Sequence, residues 1–436
     1  MEYNRIYYNF LLALGLLVVS RPAGAQVVDS NEVARIINVL ASDQMRGRAA
    51  LSTDIAKAAD FIAQEFSDAD LQPYNKNDYR QSFQVTKVSQ AFQTVHIGDR
   101  ELAPEDFLIV GYASEIAWDN SSTIKEVAIK QGENFSERFR QIVRNSPEDN
   151  IVWVDPSFAP MLARFKKMFP KDNVLPQTDS NQPTPTKVFV IKPASTDDFK
   201  IEAKNMVTNF PLFNVACVIP GKSKANEYVV FSAHYDHIGI LDSQGQDSIA
   251  NGADDDASGT TAMISLAKYF KQQDINERTL IFVAFTGEEI GMFGSKYFST
   301  NIDADKVVAM INIEMIGKDS KFGPNSLYVT GYQASNLASL MQENLAGTPF
   351  KFHPDPYPQQ NLFYRSDNAV LAALGVPAHT FSTSQIDKDE YYHTVKDEIS
   401  TLDIKNITSS IKAIAKGVTG IISGAQTPTR VEKLKE

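Results

Sequence analysis

The feature that most constrains the fold is the alternation of short apolar segments with amphipathic ones after about residue 212. Four segments are short, apolar and strand-like: Val215–Ile219, Tyr228–Ala233, Thr279–Phe285 and Val307–Ile313. The third of these is almost unbroken in its apolar character, as expected of a strand covered on both sheet faces. Residues 258–272 and 403–422 instead have apolar side chains at helical spacing. This alternation predicts an α/β layered domain with helices on both sides of a sheet.

The chain before residue 210 divides into parts of different character. Residues 31–43 and 54–67 have apolar side chains at helical spacing, so we predict two helices there. From about residue 84 to 209, short β-like segments alternate with polar, proline-containing loops, and residues 129–170 look partly helical. Residues 171–186 are predicted to be an exposed loop. We therefore expect an insert domain in this part of the chain.

The N-terminal segment has the features of a signal peptide. The apolar run at 10–20 is too short to cross a bilayer as a helix, Arg5 precedes it, and the small residues Ala23 and Ala25 follow it. The alternatives are a short membrane anchor and a buried helix. We expect cleavage after Ala25 and an exported protein, periplasmic or extracellular, with no stable membrane insertion. The expected organisation is a signal peptide at 1–25, a larger domain formed by residues 26–84 and 210–436, and an insert at 85–209.

Composition restricts the chemistry that the chain can carry out. Cys217 is the only cysteine, so the chain can form neither an internal disulfide nor a cysteine-based zinc or iron–sulfur site. Any bound metal must be held by oxygen and imidazole. The 42 Lys and Arg residues against 53 Asp and Glu residues give a formal net charge of -11, which argues against nucleic-acid binding.

Potential metal ligands follow the predicted strands, where active groups gather in open α/β sheets. His234 and Asp236 come directly after Tyr228–Ala233, and in extended backbone they share a face. The carboxylate can then hold the second nitrogen of an imidazole that binds a metal. Taken alone, a strand-end histidine that is satisfied by hydrogen bonds is the simpler interpretation.

Carboxylates cluster at three further positions along the chain. They are Asp254–Asp256 before the helix at 258–272, Glu288 and Glu289 after Thr279–Phe285, and Glu314 after Val307–Ile313. A helix cap, a solvated acidic turn or a donor network would explain each one separately. With His234 and His393 they form a set suited to Zn²⁺, or to two such ions that share a carboxylate. A free glutamate beside the metal can act as the general base of amide hydrolysis.

These motifs resemble the co-catalytic zinc aminopeptidase family, which also includes glutamate carboxypeptidases and, more distantly, glutaminyl cyclases and the non-catalytic transferrin receptor. The motifs, in the family's order, are His-x-Asp at His234, Gly-Ala-Asp-Asp-Asp-Ala-Ser-Gly at Gly252, Gly-Glu-Glu-Ile-Gly at Gly287, Asn-x-acid-Met-Ile-Gly at Asn312 and Tyr-His-Thr at Tyr392. Gly47-Arg48 and Arg365-Ser366-Asp367 are similar to the family's flanking pattern. The resemblance implies a three-layer α/β sandwich around a mixed, mostly parallel sheet. It also places the insert where many relatives carry a protease-associated domain.

The resemblance implies a role for each candidate residue. Five would be zinc ligands, in two sets that share Asp255: His234 and Glu314 for one ion, Glu289 and His393 for the other. Three would act in catalysis: Glu288 as general base and acid, Asp236 by orienting His234, and Tyr392 by holding the tetrahedral intermediate. Four would be structural or supporting: Asp254, Asp256, His237 and Asp367.

One position departs from the family, and it affects the expected number of ions. The family usually has aspartate where this chain has Glu314, and a single-zinc enzyme is the outcome that this change makes more plausible. The expected function is an exported zinc aminopeptidase that hydrolyses N-terminal peptide bonds with a metal-activated water and Glu288 as base. The alternatives are a carboxypeptidase or dipeptidase of the same fold, a glutaminyl cyclase and a non-catalytic, receptor-like relative. Peptides are the expected substrates, and the sequence gives no indication of the oligomeric state.

Overall fold

The structure is a computed structural model that describes residues 28–177, 185–192, 198–244 and 247–434. The predicted signal peptide at 1–25 lies outside the described residues. The α-helices are α1 (Ser30–Leu40), α2 (Ile55–Asp68), α3 (Phe135–Asn145), α4 (Ala159–Lys166), α5 (Gly259–Gln273), α6 (Phe293–Thr300), α7 (Leu337–Asn344), α8 (Asn368–Ala373), α9 (Ile404–Gly417) and α10 (Thr419–Ile422). None of the described helices has the length and apolar character needed to cross a membrane.

The strands follow the predicted apolar segments and add others between them. The strands are β1 (Gln72–Pro73), β2 (Arg80–Ile97), β3 (Arg100–Glu101), β4 (Phe107–Val110), β5 (Glu115–Asp119), β6 (Lys125–Ile129), β7 (Asn150–Val154), β8 (Asp172–Pro176), β9 (Lys187–Ile191), β10 (Phe199–Ile219), β11 (Lys224–His234), β12 (Gly239–Gln244), β13 (Asp247–Ala250), β14 (Arg278–Phe285), β15 (Val307–Ile313), β16 (Ser326–Val329), β17 (Lys351–Pro354) and β18 (Ala378–Ser382).

The large sheet is mixed, as predicted, but it is not mostly parallel, because the strands that extend from β10 and β2 pair antiparallel. Its strand order is β17-β16-β18-β15-β11-β14-β10-β2-β3, with β1 and β5 paired to β10 and β8 paired to β2. The neighbours β14, β11, β15 and β18 run parallel to one another in the middle of the sheet. Antiparallel pairs lie on both sides of this group, at β10–β14 and at β16–β18. The parallel strands all end at one edge, and this edge carries the candidate site.

Helices cover both faces of the sheet and produce three layers, which confirms the predicted fold class. Successive strand residues point to opposite faces. Phe231 and Phe282 therefore pack into the larger core, with α1, α2, α5, α7 and α9. Val230 and Val283 point the other way, into a smaller core with α6 and α8.

Helix α1 shows how local sequence sets an element boundary. Val33, Ile36, Ile37 and Leu40 form its buried stripe, and the Asp29 side chain caps it by accepting the N–H of Asn31. The helix ends at Leu40 rather than at the predicted residue 43. Residues 43–48 turn tightly instead, with positive φ values at three consecutive positions, Arg46, Gly47 and Arg48.

The insert has its own four-stranded sheet, in the order β4-β9-β7-β6. Phe135 and Phe139 of α3 pack on one face of this sheet, and Val95 and Ile201 of the β2–β10 pair pack on the other. Strands β2 and β10 continue unbroken into the large sheet. The predicted limits of the insert, 85 and 209, fall inside these two strands.

The expected exposed loop at 171–186 is wrong for part of its length. Asp172–Pro176 forms β8, which pairs antiparallel with Val85–Ser89 of β2. The pairing partner is distant in the sequence, so the local polar and proline-rich composition does not reveal the strand. Residues 178–184 lie outside the described residues.

The buried Arg278 joins the C-terminal segment to the sheet by hydrogen bonds. Arg278 begins β14 and is 1% exposed. Its Nη1 donates to the carbonyl oxygens of Ile421 and Gln426, each at 2.7 Å, and its Nε donates to Glu227 at 2.6 Å. A buried guanidinium with these partners fixes the start of the strand against the end of α10.

Candidate metal centre

The candidate site is assembled from loops at the carboxyl edge of the parallel strands. His234 is the last residue of β11, Glu288 and Glu289 follow β14, and Glu314 follows β15. Since β14, β11 and β15 are adjacent and parallel, their ends meet at one place. The segment before α5 brings Asp255 to the same place. The structure therefore gathers residues that are far apart in sequence.

Asp255 lies between two imidazoles. Its Oδ1 is 3.3 Å from His234 Nε2, and its Oδ2 is 3.2 Å from His393 Nε2. The side chain is almost fully buried, and neither Asp255 Oδ2 nor His393 Nε2 has a hydrogen-bond partner among the described residues. Burial acts to raise the pKa of Asp255, but the neighbouring His234 and His393 outweigh it and lower this pKa. The carboxylate is thus held in its charged form between two imidazole nitrogens.

Glu289 faces a different histidine with each oxygen. Its Oε2 is 3.0 Å from His393 Nε2, and its Oε1 is 2.7 Å from His237 Nδ1. Single ligand atoms of His237, Asp255, Glu289 and His393 all lie within 4.8 Å of one another. The structure therefore places His237 beside the three predicted ligands Asp255, Glu289 and His393. His237 contacts the Glu289 oxygen that is turned away from His393.

His234 is oriented by the main chain. Its Nδ1 lies 3.1 Å from the backbone oxygen of Asp236 and 4.0 Å from the Asp236 carboxylate. That carboxylate accepts the backbone N–H groups of Glu288 and Glu289 instead, at 3.2 and 3.4 Å. In this geometry the Asp236 side chain fixes the turn that carries both glutamates, and its backbone carbonyl orients the imidazole.

A cavity of about 280 Å³ lies over these residues. The candidate residues that line it are Asp255, Glu288, Glu289, Glu314 and Tyr392. Burial raises the pKa of Glu288 well above its usual value and that of Glu314 to about 7. Tyr392 is 46% exposed, and its ring stacks on His393, with 3.8 Å between the ring centres.

The two outer acids of the Asp254–Asp256 triplet are turned away from the imidazoles and hold the loop. Asp256 Oδ1 accepts the N–H groups of Gly259 and Met315, each at 3.0 Å. Asp254 Oδ1 accepts the N–H of Gly317 at 2.7 Å. Gly259 permits the close packing of this segment, because an added Cβ would lie 2.1 Å from the carbonyl oxygen of Ile313. The triplet thus supplies one candidate ligand and two structural carboxylates.

Arg48 holds the same loop from the other side. The side chain is 1% exposed, and burial lowers the pKa of its guanidinium. Its Nη1 donates to the carbonyl oxygens of Leu40 and Asn251 at 2.7 and 2.6 Å, and its Nε donates to the carbonyl oxygen of Tyr235 at 2.8 Å. The end of α1 and the loops that carry His234 and Asp255 are therefore joined by a single side chain.

The donor set fits a divalent cation of the zinc type. Buried carboxylates and imidazoles face one another here, and the atoms without a hydrogen-bond partner in the described part of the chain include Asp255 Oδ2, Glu314 Oε2 and His393 Nε2. Unpaired polar atoms of this kind are costly to bury unless a cation joins them. Oxygen and imidazole ligands without thiolate suit zinc. Asp255, Glu289 and His393 would hold one ion, and His234 and Glu314 lie on the other side of Asp255 for a second.

Sequence reasoning left three site residues without a specific role. Arg48 appeared only as part of a flanking motif, His237 only as a supporting residue, and Asp397 not at all. Asp397 accepts the N–H groups of Asp254 and Asp255, each at 3.0 Å. The position of His237, three residues after a candidate ligand, was the one available signal. Its contact depends on how the chain turns after β11.

The chain is similar in sequence to known peptidases. Residues 214–418 match the profile of peptidase family M28. A leucine aminopeptidase 1 of Neurospora crassa is 28% identical over 232 residues, which cover 50% of this chain and 55% of that protein. The aminopeptidase YwaD of Bacillus subtilis is 21% identical over 220 residues, which cover 49% of this chain and 45% of that protein. The chain spans between 22% and 55% of the length of the curated relatives it matches.

Solved structures show the same fold. BSAP, a zinc aminopeptidase from Bacillus subtilis, has a TM-score of 0.54 at 15% identity, over 94% of this chain and 99% of that chain. An aminopeptidase from Aneurinibacillus has a TM-score of 0.53 at 17% identity, over 94% and 96%. The resemblance to the zinc aminopeptidase family is confirmed by the match of residues 214–418 to the profile of peptidase family M28 and by the aminopeptidases among the relatives.

Proposed function

We propose that the protein is an exported zinc aminopeptidase that hydrolyses the N-terminal peptide bond of peptides. The observation that carries the proposal is the meeting of Asp255, Glu289 and His393 within 3.2 Å contacts, beside His234 and directly below a cavity lined by Glu288. The named aminopeptidases among its relatives agree with this function.

The residues of the chain would divide the reaction between them. Bound zinc polarises a carbonyl oxygen and lowers the pKa of nearby water. Glu288 would accept the proton of the attacking water at its carboxylate and return it to the nitrogen of the leaving amine. Glu288 lines the cavity beside Asp255, Glu289 and Glu314, which is where a general base for a bound water has to lie. The Tyr392 hydroxyl would donate to the oxygen that becomes negative in the tetrahedral intermediate.

The number of ions belongs to the proposal as well. Two ions that share Asp255 would use all five predicted ligands: His234, Asp255, Glu289, Glu314 and His393. Contacts of Asp255 with imidazoles on both sides support two positions. Native mass spectrometry of the zinc-loaded protein would count the ions directly.

A digestion of a peptide library, with and without a chelator, tests the proposed activity. We expect loss of N-terminal residues from free-amine peptides, no cleavage of N-acetylated peptides and no cleavage after chelation. Glu288→Gln should reduce turnover by about 10³-fold or more and leave the zinc content unchanged. Cleavage that begins at the carboxyl end would instead identify a carboxypeptidase, and a rate unaffected by Glu288→Gln would exclude the proposed base.

Export and domain limits are separate parts of the proposal. The apolar run at 10–20 and the small residues before Gln26 support a signal peptide that ends at Ala25. Mass spectrometry of the mature protein should therefore find Gln26 as its first residue.

An insert at 85–209 is supported by the separate four-stranded sheet and its own apolar core.

A further inference from the structure

The cavity above the metal centre has one basic side chain in its wall. Five carboxylates line this cavity: Asp255, Glu288, Glu289, Glu314 and Asp389. Arg365 is the only lysine or arginine among the lining residues. A peptide that carries a carboxylate near the cleaved bond would meet repulsion from the acids, and Arg365 is the group of this wall that can offset it.

The Arg365 guanidinium is available to a ligand. The residue is exposed, and its side chain makes no hydrogen bond or ion pair with any described residue. Lys318, on the far side of the acidic residue Asp389, is different, because its ammonium binds the Asp389 carboxylate at 2.6 Å. Arg365 therefore keeps its five donors free, in a planar arrangement that matches a carboxylate.

The backbone that carries Arg365 is firmly held. The next residue, Ser366, is buried, and its hydroxyl accepts the side-chain N–H of Asn312 at 2.8 Å. Asn368 donates to the carbonyl oxygens of Phe363 and Ala378 at 2.9 and 3.1 Å. The guanidinium thus extends from a fixed position beside Glu314, whose carboxylate also interacts with the Ser366 hydroxyl.

We propose that Arg365 binds a carboxylate of the substrate peptide and so gives the enzyme a preference for short or acidic peptides. The proposal rests on the proposed peptidase function. A cavity of about 280 Å³ is near the lower end of the range for small-ligand sites, roughly 300–1,000 Å³. In a dipeptide the C-terminal carboxylate lies within one residue of the cleaved bond. An acidic side chain on the residue after the cleaved bond would also present a carboxylate to Arg365.

Four substrates separate the two sources. Leu-Gly has a free C-terminal carboxylate and Leu-Gly-amide lacks it, while Leu-Asp-amide and Leu-Asn-amide differ only in a side-chain carboxylate. For Arg365→Gln we expect a loss of about 10- to 100-fold in kcat/KM, mainly through KM, on the carboxylate member of at least one pair. The other member of that pair should be unchanged. Arg365→Lys should give an intermediate loss, because it keeps the charge without the planar fork.

A binding measurement keeps this inference distinct from the proposed activity. Calorimetry on zinc-loaded Glu288→Gln protein, with and without Arg365→Gln, would compare Leu-Gly with Leu-Gly-amide and Leu-Asp-amide with Leu-Asn-amide. A carboxylate preference that disappears with Arg365→Gln supports the role of Arg365 even if the wild-type chain cleaves nothing, and in that case only the proposed activity fails.

The matched control is Arg164→Gln, an exposed arginine of α4 in the insert that does not line the cavity. It should leave all four substrates unaffected. The inference is overturned if Arg365→Gln changes both members of every pair equally, if it changes none of them, or if no carboxylate peptide binds better than its neutral partner.

Discussion

At the scale of single residues, the two oxygens of Glu289 explain how a proposed metal ligand is held in place. One oxygen faces His393, and His237 Nδ1 lies 2.7 Å from the other. His237 is 1% exposed, and its ring is enclosed by Gly252, where an added Cβ would lie 2.6 Å from ring carbons. The imidazole therefore has little freedom to leave the carboxylate. A side chain that fixes a ligand in this way raises metal affinity without binding the ion itself.

We expect His237→Ala to weaken zinc binding by about 10- to 100-fold, because Glu289 would lose the partner of its second oxygen. Competition with a chromophoric chelator would measure the dissociation constant. His353→Gln is the matched control, since His353 stacks on Phe322 away from the site and should leave zinc affinity unchanged. Equal affinities for wild type and His237→Ala would show that the contact with Glu289 is incidental.

The sequence identifies the candidate metal ligands better than it identifies the residues that support them. His234, Glu289 and Glu314 stand at or directly after strand ends, so a correct reading of the strands brings them together. Arg48 donates to backbone carbonyl oxygens, and His237 contacts one carboxylate oxygen of Glu289. Those contacts depend on how the chain turns outside the strands, which local residue patterns do not specify.

At the scale of elements, strand β18 carries a buried histidine that should make the sheet sensitive to acid. His379 Nδ1 donates to the carbonyl oxygen of Thr330 at 2.8 Å, and its Nε2 accepts from the Ser335 hydroxyl at 2.7 Å. Burial lowers the pKa of His379 to about 4, against 6.5 for its ordinary value. Between these values the unfolded chain binds a proton that the folded chain does not. The free energy of unfolding therefore falls as the pH drops from about 6.5 to 4.

We expect this histidine to contribute about 2 to 3 kcal/mol of the stability lost between pH 7.5 and 4.5. His379→Gln keeps a donor and an acceptor but cannot take up the proton. Urea unfolding of both metal-free proteins at the two pH values would give the difference. The carboxylates of the site titrate in both proteins and cancel in the comparison. Equal losses of stability in wild type and variant would contradict the assignment.

Helices and strands could be predicted from the sequence where burial of one or both faces leaves a regular apolar pattern. Helix α5 and strand β14 are found within one residue of their predicted limits, whereas the helix predicted at 403–422 is divided into α9 and α10. The long strands β2 and β10 were harder to foresee, because only parts of them are buried and their pairing joins residues more than 100 positions apart. The short edge strand β8 was missed for the same reason.

At the scale of the whole molecule, the insert has two apolar clusters of its own, and it also contacts a small cluster of the larger domain through Val174 of β8. The two clusters of the insert contain only residues between 95 and 203. Ser89 and Met206 face each other across the β2–β10 pair. The insert can therefore be removed at a point where the two strands are already in register, beyond the last residue of either cluster.

We expect a chain in which Asn-Gly replaces residues 90–205 to fold cooperatively and to keep its zinc. An Asn-Gly turn suits a two-residue hairpin between directly paired strands. Thermal unfolding and zinc content would be compared with those of the full chain, and the same deletion with Asp255→Ala serves as the zinc-free control. A deletion protein that unfolds without a transition, or that no longer retains zinc, would show that the insert is required for the larger domain.

The order of residues along the chain also has a consequence for synthesis. The predicted zinc ligands are spread from His234 to His393, and Arg278 obtains two of its carbonyl partners only from Ile421 and Gln426. A growing chain leaves the ribosome from its N-terminus, so the predicted ligand set stays incomplete until His393 has been made. If the protein is the peptidase proposed above, the cell is protected from it during translation by the position of one late histidine.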